Sequence, residues 1–175
     1  MRVLLRLLVG ALGGLSATGP MTVFMILLHR LLPEKHRYSL PPREITVDLA
    51  HKAGLNEKLG AEERAVLTLL NHFGYGAAAA TTYALIEARS PLRALIKGPI
   101  FGAVVWLVSY LGLLPVAGIL QSATRQPPSR NLLMLAVHLI WGLIVGVFVE
   151  TLLTEEKRKY GALLVGSPMP QKDRK

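Results

Sequence analysis

Four stretches of this chain are each long enough to cross a bilayer core, and each is bounded by charge. They run Leu7–Leu28, Ala65–Ile86, Gly98–Leu120 and Leu132–Leu153. A crossing helix needs about 20 mostly apolar residues, and a backbone in lipid must satisfy its own hydrogen bonds, which favours helices. The expected fold class is therefore all-α: a polytopic membrane protein with four transmembrane helices in one bundle, formed by residues 1–160. His29 and Arg30 close the first run, Glu87 and Arg89 the second, and Glu155, Glu156 and Lys157 the fourth, while Lys97 opens the third. The second run is the least apolar, being rich in Ala and Gly and carrying Asn71, His72, Thr81 and Thr82. Arg2, Arg6 and Ser16-Ala17-Thr18 imitate a secretory signal. The apolar run continues through Met21–Leu28, past the length of a typical signal core, so the first run reads as a retained anchor.

Charge is compatible with that layout. The formal net charge is +9, which in a soluble chain would raise nucleic acid as a partner. Here the basic residues flank apolar spans and form no stripe interleaved with aromatics. They suit anionic lipid headgroups instead. The partners expected are the lipid bilayer and other membrane proteins or a second copy, with no nucleic acid. Four spans place both termini on one side. With that side cytoplasmic, the inner segments hold Arg2, Arg6, Arg89, Arg93, Lys97, Lys157, Arg158, Lys159, Lys172, Arg174 and Lys175, leaving the other basic residues outside. The short inner loop around Arg89–Lys97 weighs most in this bias.

The first loop is the one sizeable extramembrane piece. Pro33 and Pro41-Pro42 keep its first part extended. After them, residues 43–53 read as a short amphipathic outer helix: Glu44, Asp48 and Lys52 share one face, Ile45, Leu49 and Ala53 the next, and Gly54 stops it. Such a helix lies at the interface or covers helix ends. Residues 161–175 read as a flexible C-terminal tail.

An internal repeat runs through the even spans. At an offset of 66 residues, Leu67 pairs with Leu133, His72 with His138, Tyr75 with Trp141, Gly76 with Gly142 and Ala80 with Gly146. The reading is two repeated helical hairpins. Residues four apart share a helix face, so His72, Gly76 and Ala80 form one stripe and His138, Gly142 and Gly146 its counterpart. Small residues at that spacing let membrane helices approach closely, which makes Gly76, Ala80, Gly142 and Gly146 helix-packing candidates. The histidines then point into the bundle, about 10 Å inside the span. Three readings of them stay open. Each imidazole bonds a neighbouring group such as Asn71, Thr68, Ser109 or a carbonyl freed by Pro20 or Pro115; or His72 and His138 together bind haem or a metal; or they line a polar path for protons or a small solute.

Enzyme chemistry has little support. With no cysteine there is no thiolate nucleophile or thiolate metal site. No nucleophile elbow, phosphate loop or zinc-protease motif occurs. His29, His36 and His51, with Glu34 and Asp48, follow no metal-ligand spacing, so no metal is expected. Glu87 and Glu150, near the inner helix ends, are expected to pair with Arg89 or Lys157. A non-enzymatic structural or partner-binding membrane component is the leading expectation, and a small transporter or channel component the alternative.

With its repeated His-x-x-aromatic-Gly element, at His138, Trp141 and Gly142 and earlier at His72, Tyr75 and Gly76, the chain resembles the YagU-like group of small bacterial inner-membrane proteins over its second to fourth spans. The resemblance implies a bacterial inner-membrane location and no established biochemical activity, so it supplies no catalytic residues.

Overall fold

A computed structural model describes residues 2–34, 37–55, 57–87 and 92–165, the side chains of Arg2 and 156–165 excepted. These residues are helical with no strand among them. Helix α1 covers Arg2–Leu31, α2 Pro41–Lys52 and α3 Ala61–Ile86. Helix α4 covers Ala94–Val116, and α5 covers Pro128–Val165. Among the described residues three helices, α1, α4 and the Pro128–Glu155 part of α5, are long and apolar enough to cross a membrane. Rows of large apolar side chains stay exposed on them, such as Leu4, Leu8, Leu12 and Leu15 on α1 and Leu95, Ile100, Val104 and Leu107 on α4. A soluble protein would cover such belts; in a membrane they face lipid.

Helix α3 is 26 residues long but is diluted by its acidic first turn and its Ala, Gly and Thr content. It packs along α1, as α4 packs along α5, and the two pairs join chiefly through α1 and α5. Between them lies a core of Met21, Met25, Tyr83, Met134, Trp141, Val145 and Val149.

The short outer helix begins two residues before its expected start, because Pro41 and Pro42 occupy its first turn, where no amide hydrogen is needed. Past its end at Lys52, Gly54 turns the chain, and its φ of +67° lets the Leu55 amide donate to the Ala50 carbonyl at 2.9 Å. Rather than lying free on the surface, α2 is latched across one end of the bundle. Arg130 pairs with Glu44 through both guanidinium nitrogens, and the Tyr38 ring stacks on that guanidinium at 4.6 Å. Lys52 donates to the carbonyls of Ala117 and Gly118 at 2.7 and 2.8 Å, where α4 ends. Asn71 of α3 donates to Thr46 at 3.3 Å. Residues 161–165 continue α5, and the rest of the expected tail lies outside the described residues.

Within α4, Val108–Leu113 adopts π-helical turns. Pro115 has no amide hydrogen and its ring crowds the carbonyl one turn back. Widening the preceding turn relieves that crowding, and it is a common setting for functional side chains. Here it carries Ser109 and Tyr110, both buried.

Candidate functional site

Beneath α2, the helices separate enough to leave a cavity of about 470 Å³. Its wall is mainly apolar, with Met21, Met25, Ile45 and Met134 among its residues, and it brings together His72 of α3 and His138 of α5. Ser109 and Tyr110 from the π-helical turn and Trp141 complete its polar and aromatic lining.

The hydrogen bonds around the cavity fix which groups remain open. His138 is 7 % exposed, and its Nδ1 lies 2.7 Å from the Met134 carbonyl of its own helix. A carbonyl only accepts, so Nδ1 carries the hydrogen and Nε2 of the neutral ring keeps a lone pair. His72 Nδ1 lies 3.4 Å from Thr22 Oγ1 on α1. The Thr22 hydroxyl already donates to the Thr18 carbonyl at 2.7 Å, so the imidazole is the donor in that pair, and its Nε2 keeps a lone pair as well. Neither ring bonds Asn71, Thr68 or Ser109, the partners the sequence suggests. Ser109 donates to Val105 and is bonded by the Tyr75 hydroxyl, each at 2.7 Å. Trp141 Nε1 donates to Thr18 Oγ1 at 3.3 Å. Tyr110 meets the His138 ring edge-on at 5.9 Å between centroids.

On the far side of the cavity from α2 the helices close tightly. A Cβ on Gly76 would strike the Thr18 hydroxyl, and one on Gly142 would strike the Gly98 carbonyl and the Gly102 backbone. Ala80 is fully buried against Gly10, and a Cβ on Gly146 would lie 2.9 Å from the Ala94 carbonyl. Tyr83, Phe101 and Trp141 form an aromatic row, with centroids 5.1 and 6.2 Å apart.

Beyond that row, charges sit where the sequence placed only helix ends. Lys97, counted above as a loop cation, is 8 % exposed and reaches Glu87 at 3.1 Å and Glu150 at 3.5 Å. Arg6 approaches Glu87 at 3.6 Å and donates to the Ala84 carbonyl at 2.8 Å. Glu150 accepts from the Ala94 amide at 2.9 Å. Glu87 and Glu150 thus find partners on α1 and α4. Arg89 and the Lys157 side chain, the expected partners, lie outside the described residues. The sequence carries no signal for the burial of Lys97, because a lysine at the edge of an apolar run reads as a loop charge.

The outer histidines do not gather. His29 accepts from the Tyr38 amide at 3.3 Å, His51 is exposed, and His36 lies outside the described residues. Among the described residues no three His, Cys, Asp or Glu side chains cluster as metal ligands.

Residues 33–147 match the model of a family described as a protein of unknown function, DUF1440. The match agrees with the resemblance to the YagU-like group. It includes α2 and both histidines, so the cavity and its cap fall largely inside the family region. No curated protein and no solved structure matches the chain.

Proposed function

The chain belongs to the DUF1440 family, and from that premise we propose that it is a non-enzymatic integral membrane protein that binds a small lipophilic guest in the cavity beneath α2. The observation that carries this reading is the cavity itself. Its volume of about 470 Å³ falls within the roughly 300–1,000 Å³ of small-molecule sites, and its mainly apolar wall with a few convergent polar groups is what such sites show. A binding role fits better than conduction. The cavity ends against the backbone-to-backbone crossings and the aromatic row, and the charges beyond them are paired.

The same reading makes α3 a fourth crossing. Arg6 touches Ala84, Gly10 meets Ala80, Gly14 meets Gly76 and Thr22 meets His72. This antiparallel ladder extends along about 24 Å of α1, so a helix that shadows α1 over that length shares its depth in the membrane. The two hairpins also read as copies, since Gly14 faces Gly76 as Gly98 faces Gly142. The location we propose is a bacterial inner membrane with both termini cytoplasmic, in contact with lipid and open to association with other membrane proteins or a second copy.

The test uses the two tryptophans. In a Trp106→Phe protein in detergent, Trp141 alone reports on the cavity, so titration with a brominated alkane should quench it saturably. Quenching that only tracks the bromide dissolved in the micelle would overturn the reading. Ligation of haem by His72 and His138 is the second reading, favoured by the shared cavity and the two open Nε2 lone pairs. A Soret band in protein made with haem supplied would mark it, with loss of the band in His138→Phe.

A further inference from the structure

Resting on that reading of the cavity, we infer that its preferred guest is a neutral lipophile headed by a hydroxyl group, which donates to an imidazole Nε2. The argument is one of unmatched hydrogen-bonding capacity. The Met134 carbonyl takes the Nδ1 hydrogen of His138, and Thr22 takes that of His72. Each neutral ring therefore offers the cavity an acceptor and no donor. The nearby donors are engaged elsewhere: Trp141 with Thr18, Ser109 with Val105 and Tyr75 with Ser109. Among the described residues, no side chain donates to either Nε2. Both rings line a mainly apolar cavity that gives Nε2 no protein donor, so a guest that brings its own hydrogen supplies a bond the wall does not.

A hydroxyl also suits Tyr110. It lines the same cavity with its ring edge-on to His138, so its phenol can donate to the oxygen of a guest whose hydrogen goes to His138. An ether or ketone of the same shape answers Tyr110 and leaves both imidazoles unmatched. A carboxylate or phosphate brings negative charge to two lone pairs inside an apolar wall, which raises its desolvation cost without a compensating cation. The mainly apolar remainder of the wall calls for an alkyl or isoprenoid body behind that single hydroxyl.

The experiment is competition against the brominated alkane on the Trp106→Phe protein, with 1-decanol and its isomer nonyl methyl ether as matched competitors. One net hydrogen bond of about 1.4 kcal/mol corresponds to roughly tenfold in affinity, so decanol should displace the probe at about a tenth of the ether concentration. In His138→Phe the ratio should fall toward one while the ether still competes, and His138→Gln, which restores an acceptor, should recover part of it. His72→Phe serves the same comparison if His138→Phe does not fold. An ether equal to or better than decanol in the unsubstituted cavity would overturn the inference and leave the binding reading standing. A ratio that survives both phenylalanine variants would also overturn it. A probe that neither competitor displaces would sink the binding reading, and the inference with it.

Discussion

Tyr83, at 3 % exposure, ends the aromatic row on the side of the Glu87–Lys97–Glu150 group, and its hydroxyl has no hydrogen-bond partner among the described residues. A buried donor without an acceptor carries its desolvation cost uncompensated. Tyr83→Phe keeps the ring on Phe101 and removes only the unpaired group, so it should be neutral or raise stability by up to about 1 kcal/mol. Thermal unfolding in detergent checks this; a clear loss would mean that the hydroxyl is bonded. Lys97 behaves in the opposite sense. Both it and Glu87 are nearly buried, and removing one partner of such a pair typically costs about 3–5 kcal/mol. Lys97→Met should therefore lower stability by an amount in that range, and adding Glu87→Gln should return part of it in a double-mutant comparison. Neither residue's role is legible in the sequence alone. A lysine at the edge of an apolar run reads as a loop charge, and only the approach of Glu87 at the end of α3 and Glu150 of α5 turns it into a buried partner.

At the scale of elements, the glycines separate into those that let helices meet and those that do not. A Cβ on Gly142 would run into the backbone of Gly98 and Gly102, whereas one on Gly74 would meet nothing within 4 Å. Gly142→Ala should cost about 1–3 kcal/mol through overpacking of a crossing that backbone cannot vacate. Gly74→Ala should instead gain up to about 1 kcal/mol from helix propensity. Comparing the melting of the two variants tests the crossing directly, and equal effects would contradict it. Helix lengths and the i, i+4 stripes could be read from the chain because they depend on local periodicity. The partners of those stripes could not. Gly10, Gly14, Gly98 and Gly102 are matched to them by the approach of separate helices, whereas a Cβ on Gly19, also in α1, would meet nothing within 4 Å. The amphipathic outer helix was legible within two residues at its start, and covering helix ends was one of its two expected placements, but the contacts that choose that placement were not legible. That place depends on Arg130, 86 residues from Glu44, and on the α4 carbonyls that hold Lys52.

For the whole molecule, the deciding question is whether α3 crosses with α1, and its answer fixes where the last helix ends. Three helices pass on length and apolar content. If only those three cross, the residues before α4 lie on the same side as α2, and the end of α5 lies opposite the amino terminus. If α3 crosses as well, the residues before α4 return to the side of the amino terminus and the end of α5 joins them. The contact ladder from Arg6 to Thr22 supports the proposed second arrangement, because a helix lying flat on the membrane would not follow α1 over about 24 Å of its length. The chain has no cysteine, so single cysteines at exposed positions report cleanly. Ala53→Cys should react with a membrane-impermeant maleimide in intact spheroplasts of a bacterial host. Leu92→Cys and Thr154→Cys should react only after the membrane is permeabilised. Labelling of Ala53→Cys and Leu92→Cys from the same side would remove the fourth crossing. Exchange of the two patterns would keep four crossings and place the termini outside, which would mean that the basic bias of the Arg89–Lys97 loop does not set orientation. That last outcome has a physical route: Lys97 is neutralised within the bundle by Glu87 and Glu150, so it leaves fewer free cations in that loop than the sequence counts.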